Sequence, residues 1–299
     1  MKKTHNTFWL LVVLLLSSNI VFGQDDLMDI FGEEEPTTEY STATFKTTRV
    51  VSGHSIENPA NGVLLFTISH HFGRLNQGAY DFFGLDQATI RLGLEYGIND
   101  ILSVGIGRST YQKTFDGFLK VKLLRQSKGV KNMPLSVSLF TASDLFSLKW
   151  QDSERTNYFS SRLSFVNQIL IARKFSESFS LQLAPTHIHK NLVMEKGTND
   201  NFAIGIGGRY KITKRLSINM EYFHYFPGYV ADNFENPLAV GVDIETGGHV
   251  FQLHFTNAQP MFERAFITET MGKWNKGDVY FGFNISRVFT IKKPKEFKQ

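Results

Sequence analysis

The chain has 299 residues, 42% of them apolar, with 28 Phe, 3 Trp and no Cys. Without Cys there can be no disulfide scaffold, thiolate metal site or cysteine nucleophile, and this apolar content excludes a disordered chain. The formal net charge of +4 at pH 7 is small and comes with no clustered basic stripe, so nothing favours nucleic-acid binding.

The N-terminus opens with Lys2 and Lys3, continues with an apolar run from Phe8 to Leu16, and reaches Val21, Phe22 and Gly23 before Gln24. A basic start, a short apolar run and small residues before a cleavage point are the grammar of an export signal, predicting cleavage after Gly23. The run is too short to span a bilayer as a helix, which needs about 20 residues. Losing Lys2 and Lys3 with residues 1–23 lowers the net charge from +4 to +2. Residues 24–43 carry Asp25, Asp26, Asp29 and Glu33 to Glu35 and no basic residue. Such an acidic block reads as a flexible leader in the periplasm, and its apolar cluster Leu27, Met28, Ile30 and Phe31 could dock on a periplasmic protein. Residues 44–61 contain Gly53, His54, Asn58 and Pro59 and predict a turning segment, either a collar at a barrel mouth or an inward plug.

From residue 62 to 291 the pattern is strict alternation. In Thr89–Ile98, Ile90, Leu92, Leu94, Tyr96 and Ile98 face one way, while Thr89, Arg91, Gly93, Glu95 and Gly97 face the other. Period two marks a strand. One face is wholly apolar, and the other mixes charge, hydroxyl and glycine. The same alternation returns in 202–212, 216–222 and 238–245. About 12 such strands fit, near 62–72, 88–98, 101–111, 115–125, 134–142, 161–174, 178–190, 201–212, 215–226, 238–245, 249–257 and 278–291. Short and long connections alternate between them, except for a short link at 112–114. The expected fold is all-β: a transmembrane antiparallel barrel with short periplasmic turns and longer outer loops. A soluble β-sandwich would share the alternation but not the unbroken apolar faces, the Gly-rich opposite faces or the alternating loop lengths. The final strand carries Phe281, Phe283, Ile285 and Phe289 on one face, a feature suited to the barrel-assembly machinery, and a basic tail at 292–299 follows it.

The stretches ATFKTTRVVSGHSIENP, GVLLFTISHHFG, GLDQATIRLGLEYGI and GFLKVKLLRQ resemble an uncharacterised family of Gram-negative outer-membrane barrels known as domain of unknown function 5777. The resemblance runs from Thr44 to the last strand. It implies a barrel in the outer membrane, in contact with its lipid, and brings no known activity or functional residue.

The residues themselves offer three kinds of site. Arg91, Glu95, Lys120, Lys122, Arg209, Lys211, Glu221, Asp243 and Glu245 fall on inward positions. They would either pair and plug a narrow interior or set the selectivity of a channel or transporter for a small polar solute. A barrel of this size is near the limit where the lumen is filled or narrowly open. His187 and His189 share a strand face, but a metal site needs at least one more ligand. They stay outward unless Pro185 makes a bulge, since Pro within strands marks edges and bulges. A lipid-active enzyme would need a nucleophile beside a base; Ser69 and His70 lie on opposite strand faces, and no G-x-S-x-G elbow is present. The expectation is therefore a non-enzymatic channel without cofactor or metal. The competing reading is a non-conducting anchor or assembly partner for a periplasmic protein, with a lipid-active enzyme a distant third.

Overall fold

The computed structural model describes residues 37–150, 154, 156–193, 197–226 and 234–292. The expected signal, the leader up to residue 36 and the tail from residue 293 lie outside the described residues. A short strand β1 (Thr38–Tyr40) is followed by β2 (Val63–Arg74), β3 (Ala88–Gly97), β4 (Leu102–Ser109), β5 (Phe115–Leu124), β6 (Ser127–Gly129), β7 (Ser136–Leu145), β8 (Leu163–Lys174), β9 (Phe179–Lys190), β10 (Asp200–Lys211), β11 (Leu216–Phe226), β12 (Leu238–Thr246), β13 (His249–Thr256) and β14 (Tyr280–Thr290). One six-residue helix, α1 (Glu263–Thr268), lies between β13 and β14.

Twelve of these strands close into an antiparallel barrel in which each strand pairs with its sequence neighbours and β14 pairs back onto β2. Closure leaves no open sheet edge. The small strands β1 and β6 pair separately, Thr38 opposite Gly129 and Tyr40 opposite Ser127. That pairing ties the end of the leader to the connection between β5 and β7. The predicted alternation is the observed one: on β10, Phe202, Ile204, Ile206 and Tyr210 are exposed on the outside, and Ala203, Gly205, Gly207 and Arg209 are buried inside. Among the described residues no helix is long and apolar enough to cross a membrane.

The interior differs from a simple polar lumen. Phe140 and Phe223 point inward from β7 and β11 and are buried, and Phe118 packs against the same cluster from β5. Glycine on the neighbouring strand makes room for two of these rings, Phe118 and Phe223. A Cβ on Gly105 would stand 2.3 Å from the Phe118 ring, and one on Gly205 would stand 2.4 Å from the Phe223 ring. The Gly-rich inner faces are therefore sockets for large inward side chains, which is how a twelve-stranded barrel can be packed rather than hollow.

Candidate functional site: the filled lumen

Two segments enter the barrel from opposite ends. The first, residues 44–57, comes from the short-turn end, where β2 begins and β14 ends. It doubles back in a tight hairpin: the Val50 amide donates to the Gly53 carbonyl at 2.9 Å, the Ser55 amide to the Thr48 carbonyl at 2.9 Å, and Arg49 bridges His54. Phe45, Val50, Val51 and Ile56 are at most 2% exposed. The segment contributes no strand to the barrel wall, which keeps the even count.

Polar side chains of the wall satisfy the backbone of this insert. The Glu221 carboxylate accepts from the amides of Val51, Ser52 and Gly53 at 3.0–3.3 Å. Gln252 donates to the Val50 carbonyl at 2.8 Å, Asn284 to the Val51 carbonyl at 3.0 Å, and Gln182 to the His54 carbonyl at 2.8 Å. Lys120 donates to the carbonyls of Ser55 and Glu57. Buried backbone groups need such partners, and here the barrel wall supplies them.

The second segment is the connection from β13 to β14, which enters from the long-loop end. The α1 residues Ala265, Phe266 and Ile267 are buried, and the Phe266 ring meets Phe223 at 5.3 Å in an edge-on contact. Thr268 and Thr270 donate to the carbonyls of Arg264 and Phe266 at 2.7 Å. Such back-bonding competes with helix propagation and suits so short a helix. His71 Nδ1 donates to the Gln259 carbonyl at 3.0 Å. Its Nε2 is then the acceptor of a hydrogen bond donated by His254 Nε2–H at 2.8 Å. The two inserts meet near the middle, where Arg49 donates to Glu263 at 3.0 Å. Burial pushes the His54 imidazole well below its usual pKa, helped by the positive charges of Arg49 and Lys120.

Each predicted lumen residue has a definite place. Arg91, Glu95, Lys120, Arg209, Glu221 and Asp243 are buried inside the barrel, while Lys122, Lys211 and Glu245 are half-buried near the short-turn rim. Arg91 forms a two-pronged pair with Asp116, Nε to Oδ1 at 2.9 Å and Nη2 to Oδ2. Gly107 lacks the Cβ that would stand 2.3 Å from that guanidinium. Lys120 pairs with Glu95 at 3.4 Å. Arg209 donates to Ser217 at 3.2 Å and to the Ala43 carbonyl at 2.8 Å. Asp243 accepts from Gln252 at 2.7 Å, and Glu245 pairs with Lys46 of the insert. Arg91, Glu95, Lys120 and Glu245 pair with opposite charges, Glu221 holds the insert's amides, and Arg209 and Asp243 are met by polar neighbours, so the deep interior is not a ring of free charge. Replacing Arg91 by Ala strands a buried Asp116 carboxylate and should cost about 3–5 kcal/mol. A lowered urea midpoint for unfolding from detergent micelles checks this.

Other participants were less visible in the sequence. Asp116 lies on the inward series of β5 with Lys120, so the alternation itself marks it. Arg49 sits in an irregular segment, and Glu263 and Arg264 open a six-residue helix, where no periodicity assigns a direction. His187 and His189 point outward, because Pro185 pairs with Ile204 with no shift of register. Both imidazoles sit 2.8 Å from one Asp200 oxygen, which is hydrogen-bonding distance. Among the described residues no group of three or more His, Cys, Asp or Glu is arranged to hold a metal. Ser69 is buried in the lumen, while His70 lies outside, stacked on Phe283 at 5.0 Å.

The free space is divided accordingly. A vestibule of about 490 Å³ opens at the long-loop end, lined by Tyr111, Asp144, Lys190, Tyr225, Arg264 and Glu269 among others. A smaller space of about 100 Å³ lies at the short-turn end beside Thr44, Glu57 and Lys122. Between the insert and the wall formed by β2, β13 and β14 the gap is only about 10 Å³, the size of a single water at most. Lys120, Gln252 and His254 at this level are at most 2% exposed.

A closed antiparallel barrel with an apolar outer face and a polar, internally filled lumen defines a membrane-spanning β-barrel protein. The chain belongs to the membrane bound beta barrel domain family, domain of unknown function 5777, whose model matches residues 45–289. The matched stretch takes in the N-terminal insert as well as all twelve barrel strands. No curated protein matches the chain in sequence. Among solved structures, the NanC porin is similar at 7% identity, with 76% of this chain and 98% of that one covered and a TM-score of 0.49. The KdgM porin is similar at 9% identity, covering 76% and 99%, with a TM-score of 0.46. An outer-membrane channel from Pseudomonas putida F1 is similar at 11% identity, covering 78% and 97%, with a TM-score of 0.48.

Proposed function

We propose that this protein is an outer-membrane channel for a small polar solute, closed at rest by its own inserts and opened when residues 44–57 withdraw. The long loops then face the cell exterior and both chain termini face the periplasm. One observation carries the reading: beside the apolar patch of Phe118, Phe140 and Phe223, the wall grips the insert's backbone with polar side chains. Glu221, Gln182, Gln252, Asn284 and Lys120 hold the insert by hydrogen bonds to its backbone. Water can replace every one of those bonds when the insert leaves, so withdrawal exposes a passage with a polar side along which a solute can be hydrated. A barrel filled permanently would be served as well or better by an apolar core, because buried charges offset their desolvation only when fully paired.

The polar solute follows from the same wall, which carries Arg91, Arg209, Asp116 and Asp243 in mixed sign. The filled lumen also suits a non-conducting anchor for a periplasmic protein, with the acidic leader as the contact. Planar-bilayer conductance of the intact chain against a chain lacking residues 44–57 separates the two. The insert-free barrel conducts if the passage is real. It stays silent if the barrel is an anchor.

A further inference from the structure

The outer surface of the barrel is not uniformly apolar. A groove of about 620 Å³ runs across the outward faces of β5 and β7 to β11, with walls that include Leu119, Leu139, Ile169 and Ile204. A polar row crosses its floor. Thr141, Asn167 and His187 are direct cross-strand partners on β7, β8 and β9. The Thr141 hydroxyl donates to Asn167 Oδ1 at 2.9 Å, and the Asn167 amide NH₂ group, exposed on this face, donates to no protein group among the described residues. Phe165 and Ile169 flank Asn167 along β8 and are exposed outward, so the amide sits within the apolar band. A free amide donor in hydrocarbon is unfavourable, and polar residues at such depth mark function.

Asp200, opposite His189, lies two strand positions nearer the long-loop rim and two strands across from Asn167, about 12 Å away at the usual strand rise and spacing. Its carboxylate is 54% exposed and takes both imidazoles on one oxygen, leaving the other open.

We propose that this groove is a binding site for one amine-headed acyl lipid. Its chain lies along the groove, a carbonyl at the head of the chain accepts from the Asn167 amide, and its ammonium meets Asp200 at the rim. The Asp200 carboxylate reaches back to His187, the cross-strand neighbour of Asn167, which brings the two polar groups within the span between a chain carbonyl and a head group. The concave shape favours a slender chain over a second copy of this protein, because two copies of one concave face cannot fill each other. A contact made with a different, convex face would be heterologous and would build a ring or an open chain of copies, which native mass spectra would show as oligomers. The site is defined by the groove and the long-loop rim alone, so binding does not depend on conduction.

Native mass spectrometry of the full-length barrel in detergent, titrated with phosphatidylethanolamine or phosphatidylglycerol, tests the site. The expected result is one retained phosphatidylethanolamine per barrel and at least tenfold weaker retention of phosphatidylglycerol, which lacks the ammonium. Asn167→Leu, with heat-modifiable gel migration as the folding control, should lower phosphatidylethanolamine retention at least tenfold. Asp200→Asn should bring it to the phosphatidylglycerol level. Equal retention by the original chain and Asn167→Leu would overturn the proposal. So would equal retention of the two lipids, or a dimer that Asn167→Leu dissolves.

Discussion

Deleting residues 44–57 should turn a closed barrel into a conducting one. The ends to be rejoined lie close together, since Ala43, Thr44, Ile56 and Glu57 line one small space at the short-turn end. The wall strands pair with one another and not with the insert, so the barrel can close without it. Removal unburies Phe140 and Phe223 on the inner wall and takes away Arg49, the partner of Glu263 on α1. The connection carrying α1 then loses its support from below. Planar bilayers should record steady, large and noisy current from the deleted chain, against a closed baseline for the intact one. Heat-modifiable migration identifies the folded barrel in both. A deleted chain that is folded and silent would leave only the anchor reading.

Glu221→Ala should open the barrel without dismantling it. Three insert amides share this carboxylate, and hydrogen bonds to a charged group are each worth about 1.5–3 kcal/mol net. A shared acceptor gives less than the sum, so a loss of about 3 kcal/mol is expected, roughly a hundredfold change in the ratio of closed to open barrel. The loss falls on the insert rather than on the wall, because Glu221 pairs with Ala239 and Gly207 through the backbone alone. Unfolding of the barrel should therefore shift little while open probability in single-channel records rises steeply. Glu221→Gln keeps one acceptor oxygen and adds a donor facing the same amides, and should fall between the two. If Glu221→Ala lowers barrel stability and leaves the current closed, the carboxylate holds the wall and not a gate.

The strands were legible in the sequence because membrane and lumen impose opposite demands on successive residues. Thr89–Ile98 and Leu216–Tyr222 show this without interruption, and the strands expected there, 88–98 and 215–226, agree with β3 and β11 to within one residue at each end. The inward charges were legible for the same reason, and Asp116 could have been added by extending the series of Lys120. The filling of the lumen was not legible. Phe45, Val50, Val51 and Ile56 follow no period, since a hairpin insert is held by a surrounding wall rather than by one face. The inward rings of Phe118, Phe140 and Phe223 run against the expectation that Phe belongs on the lipid side. The clue to Phe118 and Phe223 was the glycine opposite each ring, and glycine alone does not say whether it leaves space for solvent or for a neighbour; Phe140, opposite Lys120 and Gln168, carries no such clue. Helix α1 is too short for helical periodicity to emerge, and only its contacts with Phe223 and Arg49 reveal its role.

The chain has no cysteine, which allows the insert to be fastened to the wall by one engineered bond. A Cβ built on Gly207 stands 3.6 Å from the Val50 Cβ, within the roughly 3.5–4.5 Å that a disulfide spans. The most direct measurement is the single-channel conductance of Val50→Cys/Gly207→Cys before and after reductant, in the same bilayer and in the Glu221→Ala background that favours opening. Withdrawal of residues 44–57 as the gate predicts silence while the bond is intact and openings once it is reduced. Equal current before and after reduction would contradict it.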